Sequence, residues 1–153
     1  MTLCIAWRNG DNISFSSDSR LSTSDTDFAD IGIKIMDIPV RIKNPTPQET
    51  GVETIAYNQR LGLCYCGDTV TAHLIKETVH EVLQRLQLLP GHTDFSLNGI
   101  CRVISKFVES TADNMRDGMG WNDPTVEFLI GGLCPEQQRV MVYKFEIVGQ
   151  GAH

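Results

Sequence analysis

A hydroxyl, a carboxylate and an amine recur at equal intervals in the first part of this chain: Thr2, Asp18 and Lys34, each sixteen residues from the next. Thr2 follows Met1, and methionine aminopeptidases remove an initiator methionine when a small residue comes next. Thr2 would then carry a free α-amine. With an ordinary pKa near 7.7 to 8.0, about one-sixth of that amine is neutral at pH 7, so it can accept the hydroxyl proton of its own residue. A nearby cation raises the neutral fraction, because like charge disfavours the ammonium form. Lys34 stands alone among Ile33, Ile35 and Met36, and a lysine buried there needs a partner. An Asp18–Lys34 ion pair beside Thr2 would meet both needs. Residue types alone leave the bland readings open: threonine after Met1 is commonplace, Asp18 in "SSDSR" suits a turn, and Lys34 suits an edge strand.

The elements that would position these groups follow from periodicity. Leu3, Ile5 and Trp7 alternate with Cys4, Ala6 and Arg8, a strand with one bulky and one small face. Asn9-Gly10 between two extended runs predicts an antiparallel hairpin of residues 2 to 8 with 12 to 18. Residues 21 to 30 read as a loop, "IGIKIMDIPV" as a third strand closed by Pro39, and "KNPTPQETG" as another loop. Two short strands are expected at about 52 to 57 and 61 to 66. Asp68 is a fitting N-cap for a helix with Ala72, Ile75, Val79, Val82, Leu86 and Leu89 on one face, stopped by Pro90 and Gly91. A second helix is expected from about Ser96 to Arg116, with Leu97, Ile100, Ile104, Phe107, Val108 and Met115 inward and Lys106, Glu109 and Asp113 outward. "VEFLIGG" and "RVMVYKFEIV", joined by a turn at Pro135, form a closing hairpin. Strands, two helices, then strands make an α+β domain of antiparallel sheets covered by helices. Two helices cover one side only. The remaining apolar strand surface should therefore meet another chain or a further segment.

With 153 residues the chain reads as a single domain over 1–153. Its five cysteines are odd in number and sit in apolar runs, as reduced packed thiols do in a cytosol. Cys64 and Cys66 make only a CxC pair, with no second pair at ligand spacing, so no metal site is expected. A net charge of −6 without a basic cluster argues against nucleic acid or an anionic membrane as partner. Arg8, Asn9 and Asp11 interrupt any signal-peptide pattern, and no apolar run is long enough to span a bilayer, so a cytoplasmic location is expected.

The pattern as a whole resembles the proteasome β-subunit and HslV family of N-terminal-nucleophile (Ntn) hydrolases, including the bacterial Anbu proteins. Thr2 opening the first strand, the "RNG" hairpin, "SSDSR", Lys34 in "GIKIM" and "GLCYCGD" running into a helix carry the resemblance, over residues 2 to about 120. It implies an Ntn-hydrolase-like sandwich in four layers, helices outside two sheets, and a threonine-type peptidase without a cofactor. By the same resemblance Thr2 is the nucleophile and its amine the base; Lys34 lowers the basicity of the site, Asp18 fixes Lys34, and the Gly67 N–H donates to the oxyanion. Leu21, Gly32, Met36, Tyr65, Thr69 and His73 would border a largely apolar pocket for the residue before the scissile bond. For each of these, ordinary core packing is the competing reading, and for His73 it is the preferred one.

The chain departs from the family pattern at its far end. The family's Gly-Ser-Gly turn is absent, Gln150 stands about where its serine is expected, and no second helical layer follows "VGQGAH". The resemblance further implies a homo-oligomeric ring enclosing the sites, peptide or unfolded-protein substrates, and a separate ATP-driven unfoldase, since no phosphate-binding Gly-rich loop is present. Two alternatives are a non-catalytic structural subunit, favoured if Met1 is retained, and a small-molecule amidase of the same superfamily.

Overall fold

The computed structural model describes residues 3–22, 28–45, 51–89, 95–119 and 125–147. Its centre is a five-stranded sheet of β5 (Ile35–Lys43), β6 (Ile55–Gly67), β7 (Leu86–Gln87), β8 (Val126–Cys134) and β9 (Arg139–Ile147), ordered β7-β5-β6-β8-β9. All neighbours pair antiparallel except β7, which runs parallel to β5. Every second residue of the central strands is buried on one face: Ile38, Val40 and Ile42, then Leu61, Leu63 and Tyr65, then Val126, Phe128 and Ile130. Across that face lie α1 (Thr69–Leu83) and α2 (Leu97–Met119). They contribute Ala72, Ile75, Val79 and Leu83, and Leu97, Ile100, Ile104 and Val108, to one continuous core. The burial of so many aliphatic side chains, at about 1.5–3 kcal/mol each, is what holds this layer together.

Both helices are capped by side chains. Asp68 Oδ1 accepts from the Thr71 N–H at 2.7 Å, and Ser96 Oγ accepts from the Gly99 N–H at 3.1 Å. Each bond satisfies one of the donors that a helix start leaves without an internal partner.

The opposite face meets a separate two-stranded ribbon, β1 (Cys4–Asn9) with β2 (Asn12–Ser17), in register from Cys4↔Ser17 to Asn9↔Asn12. The ribbon turns at Gly10, whose φ of 62° needs the freedom of glycine. Its approach to the sheet is set by two glycines paired across the sheet, Gly62 and Gly131. A Cβ on Gly62 would collide with the Phe15 ring, and one on Gly131 would lie 3.0 Å from Ile13 Cδ1. Phe15 and Ile13 thus fill a hollow that only glycine leaves open. A small antiparallel pair, β3 (Leu21–Ser22) with β4 (Phe28–Ala29), lies within the stretch expected as loop.

Several expectations are corrected. The third strand begins at Ile35 rather than Ile31, and it continues through Pro39 to Lys43. On its side away from β6, β5 is paired only at Ile42 and Lys43, so among the described residues Pro39 sits at an edge, where a missing N–H forfeits no ladder bond. The two short strands expected at 52 to 66 are one strand, because Asn58, Gln59 and Arg60 stay in register opposite Arg41, Val40 and Pro39. The first helix stops at Leu83, and Leu86 and Gln87 leave it to pair with β5. Phe107 lies outside the core, 38% exposed. The apolar surface expected on the far side is present but displaced outward. β1 turns its small face to the sheet beside Phe15 and Ile13 of β2, and Leu3, Ile5 and Trp7, at 60%, 45% and 47% exposure, form the ribbon's outer face. Pro90, Gly91 and parts of both loops lie outside the described residues.

Candidate active site

The end of β2 brings Asp18 to the beginning of β1. The Asp18 N–H donates to the Leu3 carbonyl at 3.2 Å, and the Leu3 N–H donates to Asp18 Oδ2 at 3.3 Å. These bonds close the open end of the hairpin and hold the carboxylate beside the residue that follows Thr2. Lys34 lies in the extended stretch leading into β5, where its carbonyl accepts from the Tyr65 N–H at 3.2 Å. Its ammonium group donates to Asp18 Oδ1 at 2.5 Å and to the Arg20 carbonyl.

The two partners differ in environment: the Lys34 side chain is 2% exposed, that of Asp18 35%. A charge so deeply buried is tolerated because anionic and carbonyl oxygens surround it. The Lys34 hydrogen bond holds the Asp18 carboxyl below its usual range; burial opposes this, and the Leu3 N–H supports it. The arrangement is a fixed cation with its counter-ion, placed where the first strand begins. Such a cation disfavours a second ammonium nearby and so favours a neutral amine.

The other residues singled out by sequence fall into groups. Gly32 donates its N–H to the Ser19 carbonyl at 2.7 Å, and a Cβ on Gly32 would come within 2.6 Å of Leu21 Cγ. Leu21 therefore packs over Gly32, next to the Arg20 carbonyl that Lys34 uses. Tyr65 is buried under the helices. Its hydroxyl donates to the Ile33 carbonyl at 3.4 Å and lies 3.4 Å from His73 Nε2, with the two rings edge to face at 5.7 Å. Thr69 hydrogen-bonds to the same phenol, whose pKa is pushed up chiefly by burial. Met36 packs half-buried against the helical core. Gly67 ends β6 with φ 106°, and a Cβ there would strike the Thr125 carbonyl. Asp18, Lys34, Leu21 and Gly32 are thus one contiguous group, joined to Tyr65, Thr69 and His73 through the backbone of Ile33 and Lys34. Met36 lies against the helical core and Gly67 against Thr125 instead. Thr2 and Gln150 lie outside the described residues.

Sequence reasoning missed the backbone half of the site. The Arg20 carbonyl and the Leu3 N–H carry no signal in residue type. It also missed a cavity of about 210 Å³ between ribbon and sheet, lined by Cys4, Cys64, Cys66, Glu127, Leu129 and Lys144. The CxC spacing was the available signal, since alternate residues of a strand share a face. Among the described residues no three His, Cys, Asp or Glu side chains are placed to hold a metal ion. No described helix is long and apolar enough to cross a membrane.

No protein-family description and no curated protein matches the chain. One solved structure, titled as the helical assembly of the Anbu complex from Pseudomonas aeruginosa, matches with a TM-score of 0.57 at 15% identity. The match covers 98% of this chain and 61% of that one, so this chain spans about three-fifths of its neighbour's length. The likeness is one of fold, α+β with the sheet and helix arrangement described above.

Proposed function

We propose that this protein is a threonine-type peptidase that hydrolyses peptide bonds through an N-terminal Thr2 nucleophile, inside a self-enclosing homo-oligomer. The observation that carries this reading is the pairing of buried Lys34 with Asp18, whose carboxylate accepts from the Leu3 N–H at the start of the first strand. In the proposed reaction the Thr2 amine, kept partly neutral by the Lys34 charge, takes the hydroxyl proton as Oγ attacks the scissile carbonyl. An ester forms, the amine product leaves with that proton, and water hydrolyses the ester. Asp18 holds Lys34 in place and balances its charge. The Gly67 N–H is assigned to the oxyanion, and Leu21 with Gly32 to the substrate side chain. The exposed outer face of the ribbon, and a neighbour that forms an assembly, support an oligomer.

The test combines intact mass with hydrolysis of a fluorogenic peptide by wild type and Thr2→Ala. Loss of Met1, with activity abolished by the substitution, supports the peptidase. Retained Met1 in protein from its native host, with no hydrolysis, points instead to a structural subunit. Hydrolysis of small amides but of no peptide points to an amidase, and equal peptide hydrolysis by both proteins overturns the assignment of Thr2.

A further inference from the structure

We propose that Cys4 and Cys64 form a reversible disulfide that staples the β1–β2 ribbon to the five-stranded sheet, making this pair an oxidant-sensitive modification site. Three of the five cysteines line one cavity between ribbon and sheet. Cys4 comes from the small face of β1, Cys64 and Cys66 from the ribbon-facing side of β6. Cys64 is fully buried, and Cys4 lines the same cavity from the facing strand. The Cys4 thiol also donates to the Tyr65 carbonyl at 2.7 Å, which holds its sulfur against the strand that carries Cys64.

The third thiol is separated from this pair by geometry. Cys64 and Cys66 are two residues apart on one strand, so their Cβ atoms stand about 6.7 Å apart, well beyond the roughly 3.5–4.5 Å a disulfide requires. Cys66 instead directs its thiol to Glu127 Oε2 at 3.7 Å, and Glu127 also pairs with Lys144 at 3.2 Å. Cys101 and Cys134 lie in the helical core on the other side of the sheet.

Cys4 and Cys66 are both partly exposed and line the cavity, and it is Cys4, held against the strand of Cys64, whose oxidation by a small peroxide leads to the link. Its sulfur attacks the peroxide, the O–O bond breaks, and one water leaves with the thiol proton, giving the sulfenic acid. The Cys64 sulfur then attacks the Cys4 sulfur, the S–S bond forms, and the hydroxyl leaves as a second water with the Cys64 proton. Two thiols lose two electrons and one peroxide becomes two waters. Burial pushes the Cys64 thiol up to about 12, so the dithiol gains no thiolate stabilisation to compete with the disulfide. The link closes a loop of some sixty residues between the first strand and the sheet centre, and it constrains the unfolded chain accordingly.

The experiment treats the reduced full-length protein with hydrogen peroxide, alkylates the remaining thiols, and maps the peptides by mass spectrometry beside thermal unfolding. The expected product is an intramolecular link between the Cys4 and Cys64 peptides, with the intact mass lower by two hydrogens and restored by dithiothreitol. Oxidation should raise the unfolding midpoint of wild type and of Cys66→Ser by several degrees, and leave that of Cys64→Ser unchanged. The linkage map of wild type decides the matter even where a variant folds poorly. A link that uses Cys66, Cys101 or Cys134, or oxidation of Cys4 without any link, overturns the proposal.

Discussion

The two faces of the five-stranded sheet solve the burial problem in opposite ways. The helix-covered face is largely apolar, with Leu61, Leu63, Phe128 and Ile130 closed under α1 and α2. The ribbon-covered face holds glycines, thiols and the Glu127–Lys144 pair, and its cover turns apolar side chains outward. Stability therefore resides mainly on one face, while the three cavity thiols lie on the other and the Lys34–Asp18 pair at the ribbon's end. The two-stranded ribbon cannot supply its own core, since an isolated hairpin is marginal in water; it depends on Phe15 and Ile13 seated over Gly62 and Gly131.

The sharpest way to break this contrast is to empty the helical face. Phe128→Ala should cost about 3–5 kcal/mol in urea unfolding, and a cost below about 1 kcal/mol would mean that the helical face is not the main source of stability. Next comes the ion pair at the ribbon's end. Asp18→Ala leaves the Lys34 charge buried beside a lost partner. Removing one member of a fully buried pair costs about 3–5 kcal/mol, and with Asp18 a third exposed the expected loss is about 2 kcal/mol.

The same pair sets a pH dependence. The folded-state pKa of Asp18 is depressed, so its contribution is present above the ordinary carboxylate value of 3.8 and is lost as pH falls through the lowered one. Unfolding curves of wild type and Asp18→Ala should accordingly converge as pH drops below about 4; a gap that widens with acid would contradict the assigned sign. The smallest effect is expected on the ribbon's outer face. Trp7→Ser should change monomer stability by less than about 1 kcal/mol yet weaken self-association in sedimentation. A large stability loss would show that Trp7 belongs to the core.

What was legible in the sequence follows the same division. The hairpin at Asn9-Gly10, the Asp68 cap and the closing β8–β9 hairpin rest on local chemistry, and the structure agrees with them. The Asp18–Lys34 pair was also legible, because a lone lysine in an apolar run demands a counter-ion. The errors lie where distant partners decide. Leu86 fits the helical period, but the chain leaves the helix at Gln84, and the β5 edge at Ile42 and Lys43 recruits Leu86 and Gln87. Pro39 reads as a stop unless the strand's free edge is known. Phe107 fits the inward spacing of α2, yet the described structure leaves it partly in water. Which backbone groups meet Lys34 was illegible, because every residue carries the same carbonyl.

The central claim is that the hydroxyl of Thr2, served by the Lys34–Asp18 pair, is the nucleophile. Incubation with an activated acyl ester of a short peptide, followed by acid quench and peptide mapping, tests it most directly. An acyl group on Thr2, absent from Thr2→Ala and strongly reduced in Lys34→Met, is the result this account predicts. A fully folded protein that acquires no acyl group, or acquires it on Cys4 or Cys66 instead, would contradict it.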